Sequence, residues 1–585
     1  MQLNGAELNA VPLNGAAALG KPAVTVEPII SVLWGARVLL GGVDISANLT
    51  GSLRIEREEG AATLADFVLS LDGGAVNPAA YIGKSVEVYY QHWSGSAWVE
   101  HLRFAGQVIR PQYSMQERLL SCDCSDRLQD AIEALTVAQV DTLAGGQWSA
   151  DLFESPDGRS RWDYAQERMS TQPASLQKSV NGVLQVTPWV ATAPAFIFPV
   201  GSVLDQSMDW IPVELSERVN VVELELDYRF IRLRQRHQQF TWQHPDIIDT
   251  SIGGGFCVWR HDDTELPNIA TVTAACAGAG YQTIIDGAIW HRLPPSGVYC
   301  DPPAGWGNIY LDLLLGGLWT AARRWSQPVT EQYKLRIEAP ASIAQAGEVI
   351  RRDSITVETE SDREAEFEGA TFTAPEADAV QDALGDWVVD LRDNPRLAAA
   401  VTIGVSMARV QVLEAHRGNR LSFQLPTADT LGVRLEHTLR VEDVIAGQDV
   451  RCQAKLASLI DEWDFDTGEA ITTLLLAVSQ GGGAVDDPVS VPAIPASTPA
   501  GSVPVLITLP SQLGGRNTSP LYSEEVLGFS GNYTENDLDI NSALVLFPVG
   551  FKVEMPEIPA DHQDDYQVVS NKTYRVAIPN DLLEL

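Results

Sequence analysis

The side chains best equipped for chemistry in this chain are a run of arginines, six scattered cysteines and a few polar clusters. Arg229, Arg232, Arg234, Arg236 and His237 form a basic cluster in an otherwise acidic sequence. On a strand, Arg232, Arg234 and Arg236 fall on one face. Such a face could meet an acidic partner or passing nucleic acid, and a solvated or intersubunit salt-bridge face is the preferred reading. Arg229, Arg232, Arg234 and Arg236 are therefore the candidate interface residues.

The cysteines are Cys122, Cys124, Cys257, Cys276, Cys300 and Cys452. They are too sparse for a disulfide framework, which fits a reducing compartment. Cys122 and Cys124 point to one face of a strand and read as core. Cys257, Cys276 and Cys300, with a fourth thiol, could hold an iron–sulfur cluster. No tight Cys-x-x-Cys spacing supports that, so buried free thiols are preferred and no cofactor is expected.

No metalloprotease helix, nucleophile elbow or phosphate-loop motif is present. Gly253-Gly254-Gly255-Phe256 lacks the lysine and spacing of a phosphate cradle and reads as a turn. His261-Asp262-Asp263 could ligate a metal but reads better as a polar loop, so no metal site is expected. Carboxylates are too abundant to single out a glycosidase pair. The sequence thus carries no catalytic set, and a non-enzymatic protein is expected. The tryptophans Trp242, Trp259, Trp290, Trp306, Trp319 and Trp325 read mostly as core, with some as possible interface anchors.

The elements that must hold these residues are largely strands. Ser52-Leu-Arg-Ile-Glu-Arg57 and Ala65-Asp-Phe-Val-Leu-Ser-Leu71 alternate apolar and polar residues, the period of a half-buried strand. Gly83-Lys-Ser-Val-Glu-Val-Tyr-Tyr90, Leu102-Arg-Phe-Ala-Gly-Gln-Val-Ile109 and Glu117-Arg-Leu-Leu-Ser-Cys-Asp-Cys124 continue the pattern, as in a small barrel or sandwich. Leu128, Ala131, Ile132 and Leu135 make one helix face, with Ser125 or Asp126 as N-cap. Residues 159–170 form a further short helix. Residues 219–234 read as a long strand, 307–325 as a buried helix, 377–391 as an amphipathic helix and 397–416 as the clearest helix, stopped at Gly418-Asn419. A second strand block fills 420–479, and a linker rich in proline, alanine and serine follows.

The two strand blocks resemble each other. Asp66-Phe-Val-Leu-Ser-Leu71, Ile82-Gly-Lys-Ser-Val-Glu-Val88 and the segment 104–125 are echoed by Leu421-Ser-Phe-Gln-Leu425, Leu435-Glu-His-Thr-Leu-Arg-Val441 and 454–479. Each block is a strand, a second strand and a long hairpin that ends in a serine. The match is one of pattern, and chance similarity between two β modules is the competing explanation.

On these residues the chain resembles the baseplate or tail-tip hub proteins of long-tailed bacteriophages, relatives of contractile-tail and gene-transfer-agent hubs. The similar stretches are Gly83-Lys84-Ser85-Val86, Phe104-Ala-Gly-Gln-Val-Ile109, residues 119–126, Asp157-Gly-Arg-Ser-Arg-Trp-Asp-Tyr-Ala165, Ala415-His-Arg-Gly-Asn-Arg-Leu-Ser-Phe423, Asp464-Phe-Asp-Thr-Gly-Glu-Ala-Ile-Thr472 and Tyr574-Arg-Val-Ala-Ile-Pro579. The resemblance is diffuse but touches most of the chain. It implies two related barrels per chain, so that a homotrimer presents six barrels to a six-fold tail tube. It also implies partners: a distal-tail or tail-tube ring, the C-terminus of a tape-measure protein, tip or central fibre proteins, and phage DNA in transit. The expected place is the tip of the virion tail, after assembly in the host cytoplasm. A tail-associated cell-wall hydrolase and a receptor-binding tip protein are the alternatives.

The expected fold is mainly β with α insertions. An N-terminal arm (1–30) precedes a first hub barrel (31–135) and a helical or mixed connection (136–218). Residues 219–240 and 395–480 build the second barrel, with an α+β insertion at 241–394. A proline-rich linker (481–510) and a C-terminal extension (511–585) follow. The net charge of −37 gives a surface that repels phosphates, which suits solubility and suits a passage that DNA must not stick to. No apolar stretch approaches the ~20 residues of a membrane span, and no signal peptide is seen at the N-terminus.

Overall fold

The computed structural model describes residues 23–27, 32–71, 73–149, 152, 155–243, 267–292, 296–298, 305–307, 311–359, 361–369, 371–494, 503–509, 529–530, 550–551 and 553–585. Gly253–Phe256, His261–Asp263, Cys257, Cys300, Trp259 and most of the expected N-terminal arm lie outside them, as does much of 511–549.

The first module comprises β1 (Trp34–Leu40), β2 (Leu49–Glu58), β3 (Leu64–Ser70), β4 (Ser85–Trp93), β5 (Trp98–Ser114) and β6 (Leu119–Ser125). Strand order is β1-β4-β5-β6-β3-β2. Alternate residues Val38, Phe67, Val88, Phe104 and Leu120 turn inward to one core. Three helices follow, α1 (Leu128–Glu133), α2 (Val137–Ala144) and α3 (Arg161–Met169), where helical periodicity places them. The expected cap of α1 differs. Arg127 occupies that position with φ 57°, while the Asp126 carboxylate accepts from Leu128 N and the Ser125 hydroxyl from Arg127 N. A short strand, β7 (Asp209–Ile211), lies at the end of this connection.

Next comes a long two-stranded ribbon. β8 (Val221–Gln243) is followed by α4 (Ile269–Gly278) and β9 (Gln282–Arg292), and then β10 (Leu314–Glu338) returns along β8 over its whole length. At 3.3 Å per residue the ribbon is about 70 Å long. β11 (Ile350–Glu358) and β12 (Trp387–Asp390) join β8 laterally in an eight-stranded sheet. The helix α5 (Asn394–His416) is capped by the Asp393 side chain, which accepts from Arg396 N. It lies on the near half of the ribbon and packs Leu397, Val401, Val405 and Val412 against Leu224, Leu226 and Tyr228. Gly404 permits that approach, since a Cβ there would stand 2.7 Å from Leu224 Cδ2. α5 is long and apolar enough to cross a bilayer, but half of its most apolar window is buried in this core.

The second module is β13 (Asn419–Pro426), β14 (Thr438–Ile445), β15 (Gln448–Asp464) and β16 (Glu469–Val478). β17 (Tyr566–Arg575) pairs with β10, and β18 (Leu582–Glu584) pairs with β15.

The two modules repeat one plan. In the first, β4 pairs β5, β5 pairs β6 and β6 pairs β3; in the second, β14 pairs β15, β15 pairs β16 and β16 pairs β13. β5 and β15 each have 17 residues and each carries a bulge, between Val108 and Arg110 and between Leu456 and Ser458. A 3₁₀ turn precedes both β4 and β14, at Pro78–Tyr81 and Thr427–Thr430. Aligned on the bulges, Phe67 and Phe423 occupy one position and pair with Cys122 and Leu474. The pattern read from the sequence is therefore a duplication of topology.

Three further sequence expectations fail here. Residues 219–240 do not belong to the second module, because β8 pairs only within the ribbon sheet, while β7 and Phe196–Phe198 supply that module's extra strands. Residues 307–325 hold the start of β10 and not a helix. The start of β10, Leu314–Gly317, is buried at every position, so the apolar run there lacks the alternation that marks a strand. Residues 377–391 form a hairpin, Val380–Gln381 with β12, turned by the Asp382 carboxylate, which accepts from Leu384 N and Asp386 N.

Candidate functional site

The modules are not merely tethered. β15 runs out of the second module and pairs with β2 of the first, from Ser458 with Glu58 to Asp464 with Ser52. This makes one 15-stranded sheet. Beyond the bulge, the β15–β16 hairpin lies over the open side of the first module. Trp463 is fully buried in that module's core, with its ring 5.5 Å from Tyr90 and 6.4 Å from Trp34. Phe465 packs beside it, and Trp34 Nε1 donates to Gly468 O at the hairpin tip.

A buried ionic knot sits where the strands change modules. Asp461 of β15 accepts two hydrogen bonds from Arg103 of β5, at 2.8 and 3.0 Å, and one from Arg57 of β2 at 3.2 Å. Thr472 of β16 donates to the same carboxylate at 2.7 Å. Arg57 also donates to the Arg103 carbonyl. Burial alone would raise the Asp461 pKa, but the two guanidinium groups and the hydroxyl outweigh it and hold the carboxyl below its ordinary range. Burial, with the nearby Arg103 charge, pulls Arg57 down to about 10 despite Asp461. The partners of Asp461 come from both modules, so the site fixes the angle and register at which they meet.

The arginines singled out from sequence take a different place. Arg234 and Arg236 are buried in the middle of the ribbon, between its two apolar cores. Arg236 grips Asp386 through two bonds of 2.8 and 2.9 Å, and Arg234 donates to Asp382 and to His562 Nδ1, both at 3.0 Å. Each is buried and faces a carboxylate of the same chain. Arg232 pairs with Asp390 at the rim, and Arg229 is exposed. Asp382, Asp386 and His562 do bring a ligand atom each within 4.8 Å of one another. The two guanidinium groups already occupy those atoms and would repel a cation, so the arrangement is an ion-pair knot. Sequence reasoning missed it because its members lie far apart in the chain.

Two clefts flank this knot. One, of about 640 Å³, is lined by Glu331, Asp390, Arg232 and Arg392. Glu331 is bound by Arg392 and by the Tyr333 hydroxyl, and Asp390 by Arg232. The other, of about 600 Å³, is lined by Asp382 and His562 of the knot. Cys122, Cys124, Cys276 and Cys452 are buried thiols. Burial pushes Cys122 up to about 11 and Cys452 up to about 12, which keeps them protonated. Of the three cysteines weighed for a cluster, only Cys276 lies among the described residues.

No family model matches the chain. No curated protein matches it either. Several solved structures are similar to it in fold. A tail protein from Neisseria meningitidis is 12% identical, with a TM-score of 0.35, over 76% of this chain and 96% of that one. The 43 kDa tail protein of prophage MuSo2 from Shewanella oneidensis is 11% identical, with a TM-score of 0.33, over 76% and 98%. An E. coli component of the type VI secretion system, described as similar to the T4 tail proteins gp27 and gp5, is 7% identical, with a TM-score of 0.25, over 78% and 81%.

Proposed function

We propose that the chain is a structural hub of a phage-type tail tip, acting mechanically and without catalysis. The observation that carries this reading is the duplicated module, joined within one chain by a continuous sheet. A duplicated module lets a three-fold assembly present six near-equivalent faces, which is the geometry needed to cap a six-fold tube. The ionic knot at Asp461 suits that role, because a ring of repeated modules closes only if each junction holds one angle. The net charge of −37 suits a wall along which DNA slides without binding.

In this reading three copies surround a channel at the virion tail tip, after assembly in the host cytoplasm. A tail-tube ring stacks above, tip or fibre proteins attach below, and the end of a tape-measure protein fills the channel until it opens for DNA during ejection. The mass and shape of the purified chain test it. A ring of about three times the 63.5 kDa chain mass is expected, with a central opening in electron micrographs. A protein that stays monomeric at all concentrations, or that clears purified cell-wall sacculi, rules the mechanical hub out.

A further inference from the structure

The first module carries an unused copy of the contact that joins the modules. In β15, one edge pairs β14 up to Lys455 and then, past the bulge, pairs β2. In β5, the same edge pairs β4 up to Gln107. Past its bulge, residues 109–114 have no strand on that edge among the described residues. The β5–β6 hairpin also ends like the β15–β16 hairpin. Both have a four-residue turn whose last residue is left-handed, Arg118 at φ 56° and Gly468 at φ 76°. In the second hairpin Phe465, the first residue of the turn, packs on the neighbouring module. Met115, which opens the turn of the first hairpin and, aligned on the bulges, stands where Trp463 does, is 84% exposed.

The receiving strand has a counterpart too. β2 pairs β3 through Arg54 with Asp66, and β7 pairs β13 through Asp209 with Ser422. With β3 and β13 aligned, Asp209-Trp210-Ile211 stands where Arg54-Ile55-Glu56 stands. β7 pairs only with β13, so its outer edge is open among the described residues, and Ile211 is 50% exposed.

We infer that, in the ring proposed above, the β5–β6 hairpin of each copy docks on β7 of the next copy, and that a second copy of this chain is the partner for both open edges. The contact between modules inside the chain sets the register. Glu462 with Arg54, Asp461 with Ile55 and Ile460 with Glu56 become Ser114 with Asp209, Tyr113 with Trp210 and Gln112 with Ile211 of the neighbour. Tyr113 and Trp210, each partly buried against its own module, form a cross-strand aromatic pair. Pro111 offers no N–H, so the ladder is short and the aromatic pair carries much of the contact. Both junctions run in the same sense, module to next module, so three inside chains and three between chains close a ring.

This inference rests on the hub reading, and one experiment separates the two. Paired residues of an antiparallel ladder have Cα atoms about 4.5–5.5 Å apart, within disulfide reach. The full chain carrying Q112C and I211C is oxidised and compared with the parent by native mass and by non-reducing gel. Expected is a native trimer that becomes covalent, giving bands at two and three chain masses that collapse on reduction. Co-expressed single variants give dimers only. The Ser114→Cys with Asp209→Cys pair gives a second readout if the first pair disturbs the fold, which circular dichroism reports. A trimer in which neither pair links copies overturns the interface and leaves the hub standing. A persistent monomer overturns both.

Discussion

Asp461 illustrates how much one side chain can hold. Its carboxylate is fully buried and faces two guanidinium groups. Asp461→Ala would leave Arg103 and Arg57 buried without a counter-charge, which costs about 3–5 kcal/mol. Thermal denaturation should show that loss at pH 7. Because the folded pKa is depressed, the stabilisation is complete above the ordinary carboxylate range and disappears as pH falls through it and below. The variant should therefore match the parent's stability most closely in acid, and an equal gap at pH 3 and pH 7 would contradict this account. The residue was legible in part. Asp461 shares a strand face with Leu459 and Trp463, and a charge on an inward face signals a buried partner. Which partner was not legible, since Arg57 and Arg103 lie more than 350 residues away.

At the scale of elements, the repeated strands could be read because each keeps one face on a core, which forces apolar and polar residues to alternate. The start of β10 could not, because Leu314–Gly317 are buried at every position and the alternation vanishes there. The hairpin at 377–391 was misread for a related reason: the Asp382 turn is polar but short, and its flanking apolar residues fall at spacings a helix also allows. Arg232, Arg234 and Arg236 were rightly placed on a strand, but the sequence did not reveal that α5, β12 and the 553–565 segment pack around it. The turn at Gly468 gives an element-level prediction. Its φ of 76° costs a residue with a Cβ about 1–2 kcal/mol. Gly468→Ala should lower the melting temperature by a few degrees and displace the tip from Trp34, which quenching of tryptophan fluorescence by iodide would report as greater exposure. Unchanged quenching would show that the tip is held by Phe465 alone.

For the whole molecule, charge and assembly oppose each other. Copies that each carry −37 repel, and at low ionic strength the repulsion reaches far beyond contact distance. Raising salt from about 10 mM, where the screening length is ~30 Å, to about 150 mM, where it is ~8 Å, should therefore strengthen trimer formation. Mass photometry across that range should show the trimer appearing at lower protein concentration as salt rises. The opposite trend would mean that opposite-charge pairs dominate the contact.

Trp463 in the first module's core also sets a timetable. Trp34, at the start of that module, bonds to a carbonyl 434 residues further on. At roughly 5–20 residues per second, a ribosome needs about 20–90 s to make the intervening chain. For all that time the nascent first module has its strands but not the side chain that fills it. Fragments released early are left with an open core, and only a chain translated past residue 468 can finish its first module.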